Sequence, residues 1–212
     1  MKIAQIMPEF GLAGAEIMCE NLTYSLIRQE HTVTVVSLYD KQTPIAKRME
    51  DAGASMVTVH GRTRSMLYSG TADWDTITKV KQQLSIPVIA NGDIVDVSSA
   101  LRCLKWTGAD GIMIGRATFG DPWIFQQVSA AMAGQEVPER PILKDRIAVA
   151  VKQFELSEQD HGEHIACLEA RKHFAWYLRG VRNASYYKKE ITSMNKMEDI
   201  YRIAKDIVRD LE

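Results

Sequence analysis

The first two-thirds of the chain alternates short β-branched runs with amphipathic stretches, and that rhythm restricts the fold more than any other feature. Ile3 to Met7, Thr32 to Leu38, Ser55 to His60, Ile86 to Asn91 and Gly111 to Ile114 read as strands. Helices are expected from about Ala15 to Gln29, from Thr43-Pro44 to Gly53, near Asp73–Leu84 and near Val97–Trp106. Strands alternating with helices pair in parallel through right-handed crossovers. The expectation is an α/β fold: a five-stranded parallel sheet with flanking helices, a half-barrel/flavodoxin-like hybrid. Order 2-1-3-4-5 is favoured, because sequential βα units joined at one switch point produce it. After Asp121-Pro122-Trp123 the strands stop. From about Leu143 the pattern is helical, with a turn near Asp160-His161-Gly162 and a linker near Val137–Pro141. An α-helical C-terminal subdomain is therefore expected.

A length of 212 residues suits one core plus an appendage. The 46% hydrophobic and 25% charged content excludes wholesale disorder. No apolar run approaches the ~20 residues that span a bilayer, and the N-terminus lacks a signal-peptide pattern, so a cytoplasmic protein with no membrane partner is expected. The net charge of −1 argues for no polyanion by itself, but Arg171, Lys172, Arg179, Arg182, Lys188 and Lys189 crowd one stretch. That stretch is either a basic face or an ordinary solvated helix surface. Cys19, Cys103 and Cys167 are three, far apart and without C-x-x-C spacing, so they read as small buried hydrophobes.

Chemistry concentrates where three strands end. The third runs out into His60-Gly61-Arg62-Thr63-Arg64, the fourth into Asn91-Gly92-Asp93, and the fifth into Gly115-Arg116-Ala117. Parallel α/β sheets bind ligands at this carboxyl edge. Glycine there lets a ligand reach the backbone, whose N–H groups bind phosphate oxygen. Arg116 adds a forked donor set suited to phosphate. The pattern points to a phosphorylated cofactor.

From about residue 51 to 212 these motifs carry a resemblance. Val59-His60-Gly61-Arg62-Thr63-Arg64, Ile86-Pro87-Val88-Ile89-Ala90-Asn91-Gly92-Asp93-Ile94 and Thr107–Ala117, followed by Gly120-Asp121-Pro122-Trp123-Ile124-Phe125, Arg171-Lys172-His173 and Trp176-Tyr177-Leu178, resemble the C-terminal half of a bacterial tRNA-dihydrouridine synthase. The resemblance implies the last three strands of an FMN-binding (β/α)8 barrel and a tRNA-binding helical domain. It implies that His60 contacts the flavin ring and that Asn91, Gly92 and Asp93 line the ribityl-phosphate site. Gly115 and Arg116 would hold the phosphate. Arg62 and Arg64 would face the substrate uridine or its neighbours, and Arg171, Lys172 and His173 the tRNA backbone. Trp176 and Tyr177 read more simply as helix-packing core.

The family's Gly-Cys-Pro motif, whose cysteine protonates the uracil ring, does not occur in the sequence. No counterpart of the family's lysine beside the flavin is found. Met1–Glu16 and His31–Val36 instead resemble the start of a GT-B glycosyltransferase of the family-4 type. The expected organisation is thus a chimera: residues 1–50 a glycosyltransferase-like Rossmann segment, 51–137 a barrel-derived (βα)3 segment, and 138–212 a helical tRNA-binding-like subdomain. The junction would fall near Met49–Gly53.

The function expected first is a tRNA-dihydrouridine synthase-like FMN-binding protein, with NADPH as the family reductant. Its FMN affinity would be weakened and its catalysis incomplete, because a general acid is typically worth 10²–10⁴-fold. The alternatives are a non-enzymatic chimeric binding module with a residual phosphate site, and a nucleotide-sugar glycosyltransferase fragment. The unpaired sheet edge would be covered by a tail helix or by a second copy in a homodimer.

Overall fold

A computed structural model describes residues 2–7, 32–37, 44–63, 66 and 69–211. They fall into two compact units, Met1–Gly115 and Arg116–Glu212. The expected helix at Ala15–Gln29, the loop around Gly11 and Gly14, Thr43, Arg64 and Cys19 lie outside the described residues.

The first unit is a parallel sheet of strands β1 (Lys2–Met7), β2 (Thr32–Ser37), β3 (Met56–His60), β4 (Val88–Asn91) and β5 (Gly111–Met113). Helices α1 (Pro44–Asp51), α2 (Trp74–Gln83) and α3 (Val97–Thr107) connect its later strands. The spatial order is β1-β2-β3-β4-β5, all parallel. This corrects the expected order 2-1-3-4-5 and, with it, the flavodoxin-like half of the hybrid. Every crossover steps in the same direction, so there is no switch point and no switch-point crevice. Same-handed crossovers stepping one way set consecutive helices side by side, as in a barrel. Accordingly α2 and α3 touch: Trp106 Nε1 donates to Asp75 Oδ1 at 2.7 Å, and Thr78 Oγ1 to the Trp106 carbonyl at 3.3 Å.

Local rules account for the helix ends. Pro44 opens α1, where a missing N–H costs nothing. Asp73 caps α2 through the Thr76 N–H, and Asp96 with Ser99 forms a capping box on α3. Gly108 closes α3 at φ 64°. The core under the helices is dry: Val57, Val59, Ile77, Val80, Val88 and Ala100 have no exposed surface.

Contacts cross the expected junction near Met49–Gly53. Glu50, on its N-terminal side, accepts from the Ser85 and Ile86 N–H groups at 2.6 and 3.0 Å, and from Ser85 Oγ. It thereby anchors α1 to the turn that feeds β4.

The second unit holds α4 (Ile124–Met132), α5 (Leu143–His161), α6 (Glu163–Tyr177), α7 (Ser185–Thr192) and α8 (Met197–Leu211). It starts at Arg116 with a short 3₁₀ turn, Arg116–Thr118, earlier than the 137–141 segment that composition suggests. Gly162, at φ 83°, reverses the chain between α5 and α6, near the turn expected from the sequence. Phe154, Phe174, Leu178, Ile191 and Ile200 form the centre of its core. Tyr177 belongs to that core, and Trp176 stacks on Phe119 with centroids 4.3 Å apart. Cys103 and Cys167 are buried.

Candidate functional site

Register brings the chemistry-bearing residues to one edge. His60 pairs with Asn91, and Asn91 with Met113, so β3, β4 and β5 end level with one another. Beyond them the chain ties itself into a knot. The Gly61 N–H donates to the Asn91 carbonyl at 2.9 Å, and the Gly61 carbonyl accepts from the Asp73 N–H at 2.6 Å. A side chain at Gly61 would meet Asp73 N at 2.9 Å, so only glycine fits.

Asp93 is the centre of this knot. It stands at φ 57°, a left-handed conformation that an aspartate tolerates better than most residues. Its Oδ2 accepts from the Ala72 N–H at 2.7 Å and from Arg62 Nη2 at 2.8 Å, while Oδ1 lies 2.7 Å from Arg62 Nη1. Arg62 also donates to the carbonyls of Ser69 and Gly70, at 3.2 and 2.8 Å, and is only 5% exposed. The expected contact of Arg62 with a nucleotide is thus accompanied by internal bonds that occupy its guanidinium. Its guanidinium is engaged internally, clamping the 69–72 segment to the end of β4. Asp93 likewise serves as an internal acceptor whose charge Arg62 balances.

His60 Nδ1 accepts from the Arg62 N–H at 3.0 Å, so a neutral ring carries its proton on Nε2. Asn91 is buried, its Nδ2 3.3 Å from Met113 Sδ. The Gly92 carbonyl accepts from Trp74 Nε1 at 3.0 Å. Trp74 and the 69–73 segment are the parts of this edge that sequence reading missed. The one available signal was chemical: an indole N–H that becomes partly buried needs an acceptor.

Gly115 differs from the other described glycines. Gly53, Gly70, Gly92, Gly108, Gly120, Gly134, Gly162 and Gly180 have positive φ, and Gly61 and Gly111 would clash if they carried a Cβ. At Gly115 φ is not positive, and among the described residues a Cβ would meet nothing within 4 Å. Arg116 opens the 3₁₀ turn, its carbonyl accepting from the Phe119 N–H.

In the second unit, Arg171, Lys172 and His173 sit on α6. Arg171 donates from Nε and Nη2 to the Met194 carbonyl and from Nη2 to Asn195 Oδ1, so it too serves the fold. Lys172 is exposed. His173 packs edge-on against Trp176 and Phe119, and burial lowers its pKa. The thiols are unsuited to proton transfer at neutral pH, as burial raises Cys103 to about 11 and pushes Cys167 upward. Among the described residues, no His, Cys, Asp and Glu cluster could hold a metal ion, and no helix is long and apolar enough to cross a membrane.

A parallel sheet with glycine-rich strand ends, followed in the chain by a helical unit, defines a class of α/β proteins with an appended helical unit. The family model for dihydrouridine synthase matches residues 29–211, and the chain belongs to that family. A probable tRNA-dihydrouridine synthase of Rickettsia conorii is 40% identical over 151 residues, 71% of this chain and 46% of that protein. The tRNA-dihydrouridine synthase B of Pasteurella multocida is 42% identical over 138 residues, covering 65% and 42%. A probable tRNA-dihydrouridine synthase 1 of Synechocystis is 38% identical over 154 residues, covering 73% and 43%. The chain spans about half the length of the curated relatives it matches. Because the match starts at residue 29, the segment 29–50 belongs with the rest. The glycosyltransferase-like fragment, and the chimera built on it, have no support.

Proposed function

We propose that these residues supply the phosphate side of an FMN site and a tRNA-facing helical unit to a reductase of uridine in tRNA, with NADPH as reductant. The observation that carries the reading is Gly115: among the described residues an added Cβ there would meet nothing within 4 Å, which leaves room for a ligand phosphate to approach the backbone. Arg116 follows it with charge-assisted donors. Neutralisation of Asp93 by Arg62 removes a carboxylate that would repel the phosphate from the edge of β4.

FMN, when bound, supplies the two-electron chemistry. The chain's own residues bind and orient. Gly115 and Arg116 would hold the phosphate, Asn91 and Gly92 the ribityl chain, and His60 would offer its Nε2–H to the ring edge. The uracil ring needs a proton donor, and no Gly-Cys-Pro segment provides one in this sequence. These 212 residues alone are therefore read as a binding unit with incomplete catalysis.

Titrating FMN and following its fluorescence tests the reading. Gly115→Val and Arg116→Ala should each weaken binding at least tenfold. His60→Ala should weaken FMN and leave inorganic phosphate unaffected. Equal FMN affinity in wild type and both phosphate-side variants would refute the site.

A further inference from the structure

The start of α5 holds a buried guanidinium that is not fully hydrogen-bonded. Ile142, at the N-cap of this 19-residue helix, offers no side-chain acceptor, so the first-turn N–H groups lack a cap. In that turn, Arg146 is only 8% exposed, and its buried Nε has no hydrogen-bond partner. Helical side chains lean towards the N-terminus of their helix. The charges acting on Arg146 fit that direction: Arg140, just before the helix, and Asp121.

Arg140 is already positioned. Its Nη1 donates to the Arg179 carbonyl at 3.2 Å and its Nη2 to the Gly120 carbonyl at 3.0 Å. Its Nε lies 3.4 Å from Asp121 Oδ2, without hydrogen-bond alignment. Asp121 Oδ1 is buried and also lacks a partner. Both guanidinium groups thus feel the Asp121 carboxylate, which lies 3.4 Å from Arg140 and acts on Arg146 through its charge. Asp145, in the same turn, is exposed. A buried guanidinium nitrogen without an acceptor is costly, and an oxyanion would satisfy it and the uncapped N–H groups together.

We propose that this corner binds a phosphate ester carrying a neighbouring hydroxyl. The phosphoryl oxygens accept from Arg146 and the first-turn N–H groups of α5, and Arg140 adds charge. Asp121 Oδ1 accepts from the hydroxyl, which gives the carboxylate a purpose beside an anion. The site lies within residues 116–212 and is independent of the flavin reading.

The test uses the 212-residue protein, its melting temperature followed against inorganic phosphate or ribose 5-phosphate, with chloride at matched ionic strength as control. Both phosphates should raise the wild-type melting temperature, ribose 5-phosphate at lower concentration. Arg146→Met should raise the half-saturating concentration at least tenfold. Should that variant not fold, calorimetric titration of wild type and Arg140→Ala with ribose 5-phosphate replaces it, with a tenfold loss expected in the variant. No wild-type response, or an equal response in the variant, overturns the proposal. A labelled 12-nucleotide RNA separates the sources. A tenfold loss of RNA affinity in Arg146→Met assigns the phosphate to a polynucleotide, and unchanged RNA affinity beside lost ribose 5-phosphate binding assigns it to a small molecule.

Discussion

Arg62 and Asp93, thirty-one residues apart, form a two-pronged ion pair, with Nη1 to Oδ1 at 2.7 Å and Nη2 to Oδ2 at 2.8 Å. The pair joins the ends of β3 and β4 and holds the 69–72 segment against them. Arg62→Met leaves Asp93 without its counter-charge, and breaking such a pair costs about 3 kcal/mol. Urea unfolding should show that loss, partly recovered in Arg62→Met/Asp93→Asn. If Arg62 instead served RNA, the variant would keep its stability and lose RNA affinity.

Two glycines at the same edge should respond oppositely. At Gly92, φ is 119° and an added Cβ would lie 2.8 Å from Ala72 Cβ. Gly92→Ala should therefore cost about 1–3 kcal/mol of stability. At Gly115 an added Cβ meets nothing within 4 Å among the described residues, so Gly115→Ala should melt within about 0.5 kcal/mol of wild type. Parallel denaturation curves decide it, and a large loss at Gly115 would assign that glycine to the fold.

Glu50 provides a pH signature. The Lys47 ammonium, then the Ser85 hydroxyl and the Ser85 and Ile86 N–H groups, hold its carboxyl down at about 2. A carboxyl with a lowered folded-state pKa contributes stability above its unfolded value and loses it as pH falls through the folded one. The window is pH 4.5 down to about 2. Across it, wild type should lose more stability than Glu50→Gln. Parallel acid-unfolding curves for the two proteins would show that Glu50 contributes nothing.

RNA binding, if it uses the basic face of the second unit, should weaken steeply with salt. Exposed Lys172, Lys188 and Lys189 are the candidates for phosphate contacts. Replacing one that makes such a contact should lower the slope of log K against log salt by about 0.9. Arg171→Ala should instead lower the melting temperature, because its guanidinium holds the Met194 carbonyl. A salt slope that changes only with Arg171→Ala would reverse this assignment.

Local order was legible because it depends on neighbours in sequence. β-Branched runs, helical periodicity and Gly162 at a reversal all mark their elements without tertiary information. The three glycine-rich strand ends were visible as a group for the same reason. The direction of each crossover is not written in the strands themselves, so the order β1-β2-β3-β4-β5 emerged only when the helices packed side by side. The reach of Glu50 to residues 85–86 was equally invisible.

Arginine shows the boundary most clearly. Arg62, Arg146 and Arg171 look alike in a sequence, each a cation available to an anion. Only the tertiary structure closes Arg62 onto Asp93, turns Arg171 to a carbonyl, and leaves Arg146 buried with its Nε unpaired. Sequence determined which segments become strands and helices and where glycine must stand. What each charged side chain does was decided by long-range contact, because a guanidinium binds whichever acceptor the fold brings within about 3 Å.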